Sequence, residues 1–216
     1  MSEIAAGVDS NRFRRKRLEK FLKIAQHIAK DKESVRIIDI GGTCAYWQAM
    51  ADVWRHLPLD ITLVNLGSEA SDNGPFHVRA GNACALSEYA DNSFDIVHSN
   101  SVIEHVGHWP EMVAMAAEVR RLAPRYYVQT PNFWFPVEPH YRTLFFQMYP
   151  EGVRARMLMR RRRGFRGPYQ SLDAAMRDIQ TVQLLDAGQM VTLFPDAVIE
   201  REKFAGLTKS LIAVRG

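Results

Sequence analysis

The chain has 216 residues, 47% of them hydrophobic, and a formal charge of +4, which suits one decorated domain with a full core and excludes a disordered chain. No apolar run reaches the roughly twenty residues of a membrane span, and the opening Met-Ser-Glu-Ile-Ala lacks the charged and apolar regions of a secretory signal. Cys44 and Cys84 are the only cysteines and stand in no C-x-x-C or zinc-like spacing, so a reducing cytoplasm is the expected compartment.

Residues 11–30 place Leu18, Phe21, Leu22, Ala25 and Ile28 at helical spacing. This predicts an amphipathic helix with Arg12, Arg14, Arg15, Lys16 and Arg17 in its first turns. Positive charge there opposes the helix dipole by roughly a few tenths of a kcal/mol per exposed residue. A solvated face is the expectation, with an external anionic partner as the alternative.

Residues 35–45 read Val-Arg-Ile-Ile-Asp-Ile-Gly-Gly-Thr-Cys-Ala. Ile37, Ile38 and Ile40 predict a strand covered on both faces. Gly41 and Gly42 then turn the chain sharply and let backbone N–H groups approach a ligand. Trp47, Met50, Ala51 and Trp54 follow at helical spacing, and Asp60 to Leu66 predicts a second strand ending at Asn65. A strand, a glycine turn, a helix and a strand make a βαβ unit of the kind that binds nucleotides.

Gly67 to Pro75 is a polar loop, and Phe76 starts a short third strand, followed by the loop Gly81-Asn-Ala-Cys-Ala-Leu. Phe94 to Ser99 predicts a fourth strand. Pro110 suits the first turn of a helix carrying Met112, Ala116, Val119 and Leu122, and Tyr126 to Thr130 a fifth strand. Residues 133–170 break the alternation: they are aromatic, hold Pro136, Pro139 and Pro150, and become strongly basic through Arg160, Arg161, Arg162 and Arg163. A stretch of this length is read as a substrate-side insertion or lid. Asp186 and Gln189 have the spacing of a capping box. Val198 to Phe204 and Leu207 to Val214 predict two strands around a tight turn at Ala205-Gly206, hence an antiparallel hairpin. The whole is a single α/β domain, a doubly wound, mostly parallel sheet with helices on both faces.

Several segments resemble class I S-adenosylmethionine-dependent methyltransferases, the small bacterial type-11-like group. They are Ile38-Asp-Ile-Gly-Gly-Thr, Gly81-Asn-Ala, and Asn92-Ser-Phe-Asp-Ile-Val-His-Ser-Asn-Ser-Val-Ile-Glu-His-Val, with Gln129-Thr-Pro-Asn, Glu138-Pro-His, Leu193-Phe-Pro and Lys209-Ser-Leu-Ile-Ala-Val. The resemblance implies a Rossmann-like seven-stranded sheet, six strands parallel and one antiparallel, with S-adenosylmethionine bound across the carboxyl ends of the first strands. It puts the cofactor on Asp39, Gly41, Gly42, Thr43, Asn65, Leu66, Asn82, Ala83 and Asn100. Thr43 and Ala45 stand at the later positions of the family's glycine-rich turn. Amides, Asn65 and Asn82, stand where the family usually has acids for the ribose hydroxyls and the adenine amino group.

Methyl transfer from a sulfonium is a direct displacement that gains rate from alignment and water exclusion, and a base is needed only where the nucleophile must lose a proton. His105, after the fourth strand, and His140, at the start of the insertion, are the candidate bases. The bland reading makes Glu104-His105 a structural pair and His140 a loop anchor. His108 follows His105 by three residues, but without a third ligand nearby no metal is expected. Phe133, Trp134 and Phe135 line an acceptor pocket or form the core of the lid. The acceptor is expected to be a small or lipid-like molecule methylated on oxygen or nitrogen, with the basic insertion resting on an anionic membrane surface at the inner face. The rival readings are a nucleic-acid methyltransferase, for which only the basic clusters speak, and a non-catalytic binding module that keeps the fold. A nicotinamide dehydrogenase is disfavoured by the lack of G-x-G-x-x-G.

Overall fold

A computed structural model of the chain describes residues 12–216. Residue 11 of the first predicted helix and the opening Met-Ser-Glu-Ile-Ala lie outside the described residues. The first helix, α1, is Arg12–Ile28, with Leu18, Phe21, Leu22, Ala25 and Ile28 buried as the spacing predicts. In order there follow β1 (Val35–Ile40), α2 (Cys44–Ala49), α3 (Ala51–Trp54), β2 (Leu59–Asn65), β3 (Ser71–Asn73), β4 (Phe76–Ala80) and β5 (Ile96–Asn100). The second half comprises a 3-10 turn at Ile103–His105, α4 (Trp109–Leu122), β6 (Tyr126–Pro131), β7 (Val137–Glu138), β8 (Thr143–Leu144), α5 (Glu151–Arg160), α6 (Leu172–Gln180), α7 (Ala187–Leu193), β9 (Val198–Phe204) and β10 (Leu207–Arg215).

The main sheet runs β3-β4-β2-β1-β5-β6-β10-β9. β1 pairs in parallel with β2 and with β5, and β2 with β4. Burial on both faces explains the run of isoleucines in β1, of whose six residues only Arg36 is exposed. Ala205 and Gly206, both at positive φ, close the tight turn between neighbouring β9 and β10, as the hairpin reading requires. The sheet has eight strands where seven were expected. The addition is β3, inside the stretch read as a polar loop, and it pairs antiparallel with β4 around Gly74 at φ 58°. All three of its residues are exposed, so no apolar alternation marked it. The single helix expected from Trp47 to Trp54 is broken at Met50, where ψ reaches 27°.

The chain forms two compact units. Among the described residues, the first takes in 12–100, Met115–Val128 and Val214–Gly216, and its centre is aromatic. The Phe21 ring meets Trp47 at 6.2 Å, His98 at 4.7 Å and Tyr127 at 6.0 Å, and Trp54 meets Phe76 at 5.6 Å. Both buried indole N–H groups are satisfied, Trp47 Nε1 donating to Asp39 and Trp54 Nε1 to the Trp47 carbonyl.

The second unit takes in Ser101–Ala114 and Gln129–Ala213. Here α5 and α6 pack around Tyr141, Phe146, Ala155, Leu158, Ala175 and Ile179, so the excursion read as 133–170 shares a core with α6. The sequence reading assigns no element to residues 171–183, although Ser171 caps α6 by accepting from Ala174 N at 3.1 Å. The capping box at Asp186 and Gln189 forms with both hydrogen bonds. Among the described residues, no helix is long and apolar enough to cross a membrane.

Candidate active site

The chain passes from β1 to β2 on one side and reaches β5 on the other, which makes the carboxyl end of β1 a topological switch point, the place where open α/β sheets bind ligands. Gly41 follows β1 with φ 79°, and its N–H donates to the Val64 carbonyl at 2.8 Å. A Cβ on Gly42 would lie 2.0 Å from Asp39 Oδ2, so the position admits only glycine without movement. Asp39 itself is 1% exposed. Its Oδ2 accepts the Trp47 indole N–H at 2.7 Å, and its Oδ1 faces His98 Nδ1 at 2.7 Å.

A cavity opens beside this loop, lined by Arg14, Asp39, Gly41, Gly42, Thr43, Tyr46, His98 and Asn100. Two lining groups are buried and, among the described residues, lack a hydrogen-bond partner: His98 Nε2 and the Tyr46 hydroxyl. Burial pushes the Tyr46 phenol up, and the charge of Asp39 adds to that, so the hydroxyl stays protonated and able to donate. Burial and the neighbouring Arg17 lower the Arg14 guanidinium, which nonetheless remains a cation at neutral pH. Unpaired donors and acceptors beside a glycine cradle fit a polar ligand carrying a carboxylate.

The sequence-predicted residues divide by what their polar atoms already do. Thr43 Oγ1 caps α2 by accepting from Tyr46 N at 3.2 Å, leaving its O–H to donate. Asn65 Nδ2 donates to the Gly42 carbonyl at 2.6 Å, so its amide ties β2 to the glycine loop. Leu66 is 80% exposed. Asn82 Oδ1 accepts from Cys84 N at 3.0 Å, and an amide oxygen has a second lone pair for a ligand. Ala83 is half-buried. Asn100 ends β5 and accepts from Arg17 Nη1 at 2.8 Å.

Sequence reasoning missed Arg14, Tyr46 and His98. Arg14 was seen only as part of a charged cluster, in which Arg17 is buried and Arg15 binds Glu19 and Asp52. His98 left one signal, a polar side chain in the middle of an apolar strand.

In the second unit His105 and His140, 35 positions apart in sequence, meet with their Nε2 atoms 3.1 Å from each other and their rings edge to face. His140 Nδ1 lies 2.7 Å from Glu138 Oε1, and His105 Nδ1 lies 2.9 Å from the Thr181 carbonyl. The partner of His105 is His140 and not His108, three residues on. The 3-10 turn ends at His105, Gly107 takes φ 134°, and the helical face that would have aligned the two histidines is lost.

A second cavity, lined by Phe133, Glu138, Tyr141, Phe146, Gln147 and Arg154 among others, borders this group. Phe133 therefore lines a cavity, whereas Trp134 is 63% exposed.

Residues 38–124 match the family model of the methyltransferase domain, and they hold the end of β1, the glycine loop, β5 and the cavity's Tyr46, His98 and Asn100. This part of the chain is similar to methyltransferase domains. Solved structures agree on the fold. A SAM-dependent methyltransferase from Methanosarcina mazei superposes with a TM-score of 0.51 at 17% identity, over 88% of this chain and 96% of that one. A putative methyltransferase from an antibiotic biosynthesis pathway of Anabaena variabilis superposes with 0.50 at 16%, over 86% of this chain and 64% of that one. Phosphoethanolamine N-methyltransferase 2 of Haemonchus contortus, solved with phosphomonomethylethanolamine and S-adenosylhomocysteine, gives 0.51 at 15%, over 83% of this chain and 38% of that one. The chain thus spans between 38% and 96% of the length of these three. No curated protein matches the chain by sequence.

Proposed function

We propose that the chain transfers a methyl group from S-adenosylmethionine to an oxygen or nitrogen atom of a small or lipid-like acceptor. The observation that carries this reading is the cavity at the carboxyl ends of β1 and β5, with the unpartnered His98 Nε2 and Tyr46 hydroxyl against the glycine loop. When bound, the cofactor supplies an electrophilic methyl group on a good leaving group. Gly41 and Gly42 let the backbone approach it, Arg14 offers a positive charge to its carboxylate, and Thr43 and Asn100 offer polar contacts along the same wall. Asn65 with Leu66 stands for the ribose and Asn82 with Ala83 for the adenine. The displacement itself asks for alignment and dryness more than for acid–base chemistry. In the second unit, His105 and His140, whose Nδ1 atoms are engaged, are the candidate bases.

The lipid-like acceptor rests on the surface of the excursion. Leu144, Phe145, Met148, Tyr149, Val153, Met159 and Phe165 are all exposed large hydrophobics, interleaved with Arg160 to Arg163. Arg142 stacks over the Phe165 ring at 4.3 Å. Apolar side chains set among arginines suit the headgroup region of an anionic bilayer, at the inner face of the membrane.

Calorimetry with S-adenosylhomocysteine tests the first part: micromolar binding is expected, and none at millimolar ligand overturns it. Sedimentation with phosphatidylglycerol-containing liposomes tests the second. Replacing Arg160 to Arg163 together should abolish co-sedimentation, and unchanged binding sinks the membrane reading.

A further inference from the structure

We propose that Glu104, His105 and His140 form a binding site for a divalent transition-metal ion of the zinc class. Their ligand atoms all lie within 4.8 Å of one another. Protonation states make this more than a coincidence of residues. The Thr181 carbonyl can only accept, so His105 Nδ1 carries a proton. Glu138 accepts the Tyr141 N–H at 2.7 Å through Oε2 and faces His140 Nδ1 through Oε1, so His140 Nδ1 carries one as well. A neutral imidazole has a single N–H. When both imidazoles are neutral, both Nε2 atoms present lone pairs, 3.1 Å apart.

Two lone pairs at that distance repel unless a positive centre joins them, either one extra proton or a metal ion. A metal meets the geometry: with Zn–N bonds of about 2.05 Å at a tetrahedral angle, two nitrogens lie roughly 3.3 Å apart.

The surroundings match as well. A ligating histidine typically donates its other N–H to a carbonyl or a carboxylate, which fixes the tautomer, and here one does each. Glu104 supplies a buried carboxylate whose Oε2 accepts the Thr130 hydroxyl at 3.0 Å. Two imidazoles and one carboxylate suit zinc, iron, cobalt or nickel, and the absence of thiolate disfavours copper(I). His105 is exposed, so the remaining coordination positions face water or a small ligand. The sequence offered no third ligand because His140 arrives from the β7–β8 hairpin, far along the chain.

The test uses untagged full-length protein stripped with EDTA and titrated with Zn²⁺ by calorimetry and with Co²⁺ by visible absorption. One equivalent is expected to bind, with Co²⁺ giving d–d bands. His105→Ala and His140→Ala should each weaken binding at least tenfold, while His108→Ala should leave it unchanged. If an alanine variant loses its folded circular dichroism, His105→Gln and His140→Gln serve in its place. No saturable uptake by the wild type, or equal uptake by the double variant, overturns the site. Neither cofactor nor acceptor enters these measurements, so their failure leaves the methyl-transfer reading standing, and the converse holds.

Discussion

At Gly42 a single hydrogen separates a working loop from a clash. Gly42→Ala would press a methyl group onto Asp39, and overpacking of this kind costs about 1–3 kcal/mol. Urea unfolding should show that loss, and S-adenosylhomocysteine binding should fall at least tenfold. Tyr46 separates stability from binding. Its hydroxyl has no hydrogen-bond partner among the described residues, so Tyr46→Phe should leave the melting temperature level or raise it. The same change should weaken S-adenosylhomocysteine by about 1 kcal/mol, one hydrogen bond, and equal binding by both forms would remove Tyr46 from the site. Asn65 explains its own departure from the acid expected there. Its Nδ2 donates to the Gly42 carbonyl, and a carboxylate in that place would set two acceptors against each other. Asn65→Asp should destabilise the fold by about 1–3 kcal/mol and should not strengthen cofactor binding, as titration of both forms would show.

Among the elements, α6 shows how a legible signal goes unused. Ser171 followed by Leu172, Ala175 and Ile179 has a cap and a helical stripe in the sequence itself. Ser171→Ala should cost about 1 kcal/mol in urea unfolding, because the Ala174 N–H loses its acceptor. β3 is the opposite case. Ser-Asp-Asn has poor strand propensity and three exposed side chains, so only the neighbouring edge of β4 makes it a strand. The break at Met50 is equally hidden, since the apolar spacing from Trp47 to Trp54 continues across it.

Over the first unit as a whole, Asp95 ties distant segments. Its carboxylate accepts from Lys32 Nζ, from Arg36 Nη2 and from the Arg36 backbone N–H at 2.9 Å. Burial raises its pKa, but these partners outweigh that and hold the carboxyl below its ordinary value. A depressed folded-state pKa means stability that is present above the unfolded value of about 3.9 and lost as pH falls through the folded one. Asp95→Asn should therefore cost about 1–2 kcal/mol at neutral pH, discounted for the exposed lysine and arginine. The gap from wild type should close below roughly pH 4 in acid-denaturation curves.

Local chemistry was enough to determine the α/β alternation, the glycine turn, the capping box and the C-terminal hairpin. Periodicity, turn residues and caps act over a few positions, and the sequence displays them directly. The resemblance to a family came from short segments that sit at strand ends. The composition of each candidate site was decided by the tertiary structure. Arg14 enters from the first helix, His98 from the middle of β5, and His140 from a hairpin that meets His105 across 35 residues. Such meetings depend on strand order and packing, which act between segments remote in sequence and leave no local spacing to read.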